Sequence, residues 1–237
     1  MITDRITKTL THKSRMHQIE LERLGKLGED APLSKNAIVI EQTPQIVGMN
    51  TLLVNQNTSK EDFIFYFDRL TSLLIERAVS CMEFDPIDVT TPTGHHYSGL
   101  QPSGLVSAVV ILRGGAILEN GLHRVIPDCR TGRMLIQTNF RTGEPELHYL
   151  ALGEDVSSHK LVMLLDPQMS SGGAALMAVR VLVDHGVEEK RIVFVTYTAG
   201  RIGIGRLHSV YPEVKVVVCR LGDDMQQRWL EKVYLGC

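Results

Sequence analysis

Four short apolar runs constrain this chain more than any other feature: residues 106–112, 161–165, 192–196 and 214–219. Each is rich in Val, Ile and Leu, and stretches with helical spacing lie between them. Continuous apolar runs of this length fit strands buried on both faces. Strands of that kind alternating with helices predict a parallel sheet with helices on both sides. Ligands on such sheets bind beyond the carboxyl ends of the strands, which directs attention to the loops after Leu112 and Leu165.

The second of these loops is the more informative. It reads Leu164-Leu-Asp-Pro-Gln-Met-Ser-Ser-Gly-Gly-Ala174. A buried strand ends in an acid, a hydroxyl- and glycine-rich turn follows, and a helix over residues 174–185 begins at once, stopped by Gly186. Backbone N–H groups at a helix start, with no side chain on the glycines, form a cradle for a phosphate monoester, and Ser170 and Ser171 add hydroxyls. A plain strand-to-helix turn with a serine cap would read the same way locally. Neither GxxxxGK[ST] nor GxGxxG is present.

The rest of the chain gives a coarse map. Residues 1–36 read as an N-terminal extension, partly helical or mobile, with a helix expected over 16–27, and residues 37–237 as one folded domain. Residues 46–54 read as a strand or an extended lead-in. Thr58-Ser-Lys-Glu61 has capping-box spacing and predicts a long amphipathic helix from Glu61 to about Cys81. Pro92-Thr-Gly94 between extended stretches predicts a β-hairpin. Helices are expected over 116–125 and 202–210, and a further strand over 134–137.

Composition excludes several classes. Hydrophobic residues make up 43% and charged residues 22%, which is a globular balance. A net charge of -2 provides no field for nucleic acid, and no apolar run approaches the roughly 20 residues of a membrane span. Cys81, Cys129, Cys219 and Cys237 form no CxxC pair, so a reducing, cytoplasmic compartment is expected, with organellar import left open by the basic, Thr-rich start. His95 and His96 point to opposite faces of a strand and do not suit one metal ion. Phe63, Phe65 and Phe67 spread around a helix, as core and oligomer contacts would. Arg201, Arg206 and Arg220 read as solvated or as interface pairs.

The acid, the short turn and Ser-Gly-Gly before a helix resemble the PRPP-binding loop of type I phosphoribosyltransferases. Their form, Asp-Pro-x-Met/Leu-x-Ser/Thr-Gly-Gly, is similar to that of the uracil phosphoribosyltransferase family. Lys60 to Leu70, Val89-Thr-Thr-Pro-Thr-Gly94, Ile111-Leu-Arg-Gly-Gly115, Gly132 to Gln137, Glu144-Pro145 and Ala178 to Leu182 match the family in the same order. The resemblance runs from about Thr43 to the C-terminus and is nearest the eukaryotic branch that includes the C-terminal domains of uridine kinase-like proteins.

This resemblance implies a type I phosphoribosyltransferase fold with a β-hairpin arm. It implies uracil and PRPP as substrates, UMP and pyrophosphate as products, Mg2+ carried by PRPP, no organic cofactor and no direct metal ligand. A homodimer or larger assembly is implied, with residues 1–36 available to a protein partner. Asp166 is the implied catalytic acid, accepting hydrogen bonds from ribose. PRPP would be held by Pro167, Gln168, Met169, Ser170, Ser171, Gly172, Gly173 and Ala174, with Arg113 and Gly114 at the pyrophosphate.

Three departures stand out. Thr138-Asn139 replaces the family's arginine–acid pair, with Arg141 as the nearest stand-in. Gln168 and Ser170 replace smaller or apolar residues in the loop. The end of the chain is short and lacks the glycine-rich uracil segment; only Tyr234 and Gly236 match and are the implied base-binding residues, while Asp223, Asp224 and Glu231 are candidates to face the metal. These departures make a second reading, a catalytically degenerate homologue that binds PRPP, a nucleotide or a protein partner as a regulatory subunit.

Overall fold

The computed structural model describes residues 33–139, 141, 143–222 and 228–236. The strands are β1 (Ala37–Val39), β2 (Phe84–Thr90), β3 (His96–Pro102), β4 (Val106–Leu112), β5 (Arg130–Thr138), β6 (Pro145–Ala151), β7 (Leu161–Leu165), β8 (Gln168–Met169), β9 (Ile192–Ala199) and β10 (Lys215–Leu221). The α-helices are α1 (Pro44–Val54), α2 (Lys60–Val79), α3 (Glu119–Val125), α4 (Gly173–Asp184), α5 (Arg201–Val210) and α6 (Leu230–Leu235). Among the described residues an eight-stranded sheet runs in the order β1-β10-β9-β7-β4-β5-β6, with β8 also pairing β9. Every pairing in it is parallel except β5 with β6.

The expected parallel sheet flanked by helices is therefore present. Alternate residues of each central strand feed two cores. Ala108, Val110, Met163, Leu165, Val193 and Val195 pack with α1, α2 and α3. Val109, Ile111, Val162, Leu164, Ile192 and Phe194 pack with α4 and α5. Side chains on a strand alternate between faces, so strands buried on both sides need apolar residues at nearly every position. β7 and β9 are buried throughout.

α2 carries the expected amphipathic pattern. Ser59 caps it, its hydroxyl accepting from the Asp62 N–H at 3.1 Å. Phe63 and Phe67 are buried, while Phe65 is 55% exposed. β2 and β3 form the expected hairpin arm, with the tip closed by the Gly94 N–H donating to the Thr91 carbonyl at 2.9 Å. Nearly every residue of both strands is exposed, so the arm packs little against the body.

Residues 46–54 are not a strand. They lie in α1, because Thr43 caps the helix and Pro44 starts it with a pre-set φ. Ile46, Met49 and Leu53 then fall on one face and are buried, each contributing roughly 1.5–3 kcal/mol. The segment before Val125 is a 3₁₀ turn, Gly114–Leu118, followed by α3, rather than one helix from Ala116. β6 and α6 are further elements beyond the expected ones. The helix expected over 16–27 lies outside the described residues.

Candidate functional site

β7 delivers Asp166 to the carboxyl edge of the sheet, where the residue is 2% exposed. The following turn is pinned to β9 by main-chain hydrogen bonds. The Asp166 N–H donates to the Val195 carbonyl at 3.2 Å, and the Pro167 carbonyl accepts from the N–H groups of Tyr197 and Thr198, both at 3.1 Å. β8 then pairs with Thr198 and Ala199 before the chain turns through Ser170 and Ser171. Gly172 has φ +77°, and a Cβ there would meet the Gly203 carbonyl oxygen at 2.7 Å. Only glycine suits both the left-handed backbone and the close approach of α5. α4 begins at the next residue.

A cavity of about 350 Å³ lies over this turn. Met169 to Ala175 line it together with Asp166, Thr138, Pro145, Arg206 and Arg228. The Arg206 guanidinium donates to the Ser171 carbonyl at 2.8 Å, bringing a cation to the wall. The N-terminus of α4 faces the same space, so the turn has both donors and positive charge for an anion.

A second cavity of about 990 Å³ adjoins the first, sharing Thr138, Ala174 and Arg228 with it. Arg113, Gln137, Asn139, Arg141, His148 and Glu231 also line it. The Leu112–Arg113 peptide at its floor is cis. Gly114 follows Arg113, and the Glu231 carboxylate lies close against it, where a Cβ would require that side chain to shift.

The chain matches the uracil phosphoribosyltransferase family model over residues 39–230. It belongs to that family. It is 37% identical over 194 residues to a uracil phosphoribosyltransferase of Dictyostelium discoideum, an overlap of 82% of this chain and 89% of that protein. It is 38% identical over 193 residues to the one of Saccharomyces cerevisiae, covering 81% and 89%. It is 43% identical over 187 residues to uridine-cytidine kinase-like 1 of Mus musculus, but spans only 34% of that protein. Among solved structures, the AQ2163 protein of Aquifex aeolicus shares the fold, with a TM-score of 0.68 at 24% identity, covering 81% of this chain and 89% of that one.

The structure brings Asp166, Met169, Ser170, Ser171, Gly172, Gly173 and Ala174 to the first cavity, and Arg113 and Arg141 to the second. Pro167 and Gln168 line neither. Gln168 is buried, and its side-chain carbonyl accepts from the Trp229 N–H at 3.3 Å, so it ties the loop to the C-terminal segment. Tyr234 and Gly236 line neither cavity. The Tyr234 hydroxyl donates to Asp68 at 2.8 Å and accepts from Asn120 at 2.8 Å. Burial, then the Asp68 carboxylate, push its phenol up to about 12. Gly236 ends α6 in the left-handed conformation, beside Lys60. Tyr234 thereby ties α6 to α2 and α3. Asp223 and Asp224 lie outside the described residues.

Sequence reasoning missed two arginines. Arg206 was expected to be solvated or paired at an interface; its place one turn into α5, beside Gly203, was the signal available. Arg228 is the larger omission. Its Nη2 lies 2.6 Å from Asp166 Oδ2, and its Nη1 3.8 Å from Glu231 Oε2. The Asp166 charge holds the guanidinium more firmly protonated than usual. No local pattern marks it, because Arg228 and Asp166 are 62 residues apart. Among the described residues no group of three or more His, Cys, Asp or Glu side chains could hold a metal ion, and no helix is long and apolar enough to cross a membrane.

Proposed function

We propose that the chain transfers the phosphoribosyl group of Mg-PRPP to uracil, forming UMP and pyrophosphate. The observation that carries this is the Asp166–Ala174 turn, pinned to β9 and opening on a cavity beside a larger one lined by Arg113 and Arg141. In this reading the turn and the start of α4 hold the 5′-phosphate, with Arg206 supplying charge. Asp166 accepts from the ribose hydroxyls. Arg113 and Arg141 meet the pyrophosphate, whose magnesium arrives with the substrate.

The N1–C1′ bond forms as the bond from C1′ to the pyrophosphate oxygen breaks, and the N1 proton passes to the departing pyrophosphate. Positive charge develops on the ribose in between. The chain's contribution is placement of charge and exclusion of water rather than covalent chemistry. The hairpin arm, exposed along both strands, supports a homodimer or larger assembly. Free thiols at Cys81, Cys129 and Cys219 support a reducing, cytoplasmic setting. Residues 1–36 remain a proposed contact for a protein partner.

A second reading, a homologue that binds PRPP or a nucleotide without transfer, is favoured by one observation. Tyr234 is engaged with α2 and α3, and neither it nor Gly236 lines either cavity. Conversion of labelled uracil by purified protein with Mg-PRPP separates the two. Product from wild type, lost in Asp166→Asn, supports transfer. Stabilisation by Mg-PRPP without product supports the second reading.

A further inference from the structure

Arg228 and Glu231 stand in the two places where the transfer reading needs a ligand. Asp166 is almost wholly buried, and a buried carboxylate requires donors. The Gln168 N–H donates to Oδ1 at 3.5 Å, and Arg228 takes Oδ2 at 2.6 Å, its Nη2 also donating to the Gln168 carbonyl at 3.2 Å. One helical turn on, the Glu231 carboxylate presses against Gly114 in the cavity that Arg113 and Arg141 line. A donor thus occupies the acid that would accept from ribose hydroxyls. An anion occupies the ground that a diphosphate would take.

We propose that the chain occupies its own phosphoribosyl site, with Arg228 in place of the ribose hydroxyls and Glu231 in place of the diphosphate, so that Mg-PRPP enters only by displacing both. The inference rests on the phosphoribosyl reading above. The pairing is a short charge-assisted hydrogen bond that an incoming ligand must break. Apparent affinity falls by the fraction of molecules in which the site is vacated.

The lone tryptophan of the chain reports on this directly. Trp229 follows Arg228, its N–H is held by Gln168, and its indole meets the Phe63 ring edge-on at 5.9 Å. Displacement of Arg228 moves Trp229 toward water.

The test is titration of the full chain with Mg-PRPP, read by calorimetry and by Trp229 emission, in wild type, Arg228→Gln and Glu231→Gln. The expected result is a red shift in wild type on saturation and binding about tenfold tighter in each variant. Glu231→Gln leaves the Asp166 pair intact, so it decides the matter together with wild-type emission if Arg228→Gln does not fold. Binding with unchanged emission overturns the proposal and leaves the phosphoribosyl reading standing. So does binding tenfold weaker in the variants, which would make Arg228 a substrate contact. Absence of Mg-PRPP binding in all three proteins overturns both readings.

Discussion

The Asp166–Gly173 turn and the segment from Arg228 to Gly236 face each other across the candidate site, yet they are held in different ways. The turn hangs on main-chain hydrogen bonds to β9 and on the crossing of Gly172 with Gly203. The C-terminal segment hangs on side chains: Arg228 on Asp166, Trp229 on Gln168, Tyr234 on Asp68 and Asn120. A region built from backbone tolerates changes at its exposed side chains, provided the glycines stay. A region built from side chains depends on single residues and can be released by a competing ligand. The difference teaches where change is tolerated: the turn is a property of the fold, whereas the facing segment is a property of particular residues.

Four expectations can break or sharpen that contrast. The largest effect is expected from Asp166→Asn, whose carboxylate joins the turn to Arg228. Transfer to labelled uracil should fall on the order of a hundredfold or more, because the amide can no longer act as a paired acceptor. Activity near wild type would mean that the turn works through its backbone alone.

Gly172→Ala should come next. It forces a left-handed conformation and an overlap with the Gly203 carbonyl, costing about 1–3 kcal/mol. Thermal denaturation should show a Tm lower by several degrees, with Mg-PRPP affinity reduced as α5 shifts. An unchanged Tm would contradict the close crossing.

Tyr234→Phe should cost about 1 kcal/mol, because Asp68 is buried and loses one donor while keeping Arg124 at 3.3 Å. Denaturant titration should show this loss while Mg-PRPP affinity stays within a factor of two. A large loss of affinity would put Tyr234 in the site after all.

The smallest effect concerns pH. His208 donates through Nε2 to the Val214 carbonyl at 3.0 Å, its Nδ1 has no partner, and burial holds its pKa below the usual 6.5. The unfolded chain therefore binds the proton first as pH falls. Stability contributed by the neutral ring is fully present above 6.5 and is lost progressively below it, down to the folded value. His208→Gln should flatten the fall in Tm between pH 7 and about 5.5. An identical slope in the variant would assign that fall to other groups.

The central strands were legible because burial on both faces leaves no polar position to obscure the run, as in Leu161–Leu165. α1 was not, because its apolar content resembles a strand and its cap at Thr43 lies before the run begins. β6 was hidden by its place at the sheet edge, where His148 and Tyr149 face solvent and no alternation develops. The loop after β7 could be read as a phosphate cradle since its chemistry is local: glycines, hydroxyls and a helix start within a few residues. Gln168 could not be placed in the same way, because its partner Trp229 is distant in the chain.

Sequence alone determined the layered α/β architecture, the hairpin arm and the acid–turn–helix unit, all of which follow from neighbours in the chain. Tertiary structure decided which charges meet. It set Arg206 on the Ser171 carbonyl, Arg228 on Asp166 and Glu231 against Gly114, and it drew Tyr234 away to Asp68. Periodicity reports which side of an element is buried, but a long side chain finds its partner only when the packed elements fix its distance to every other charge.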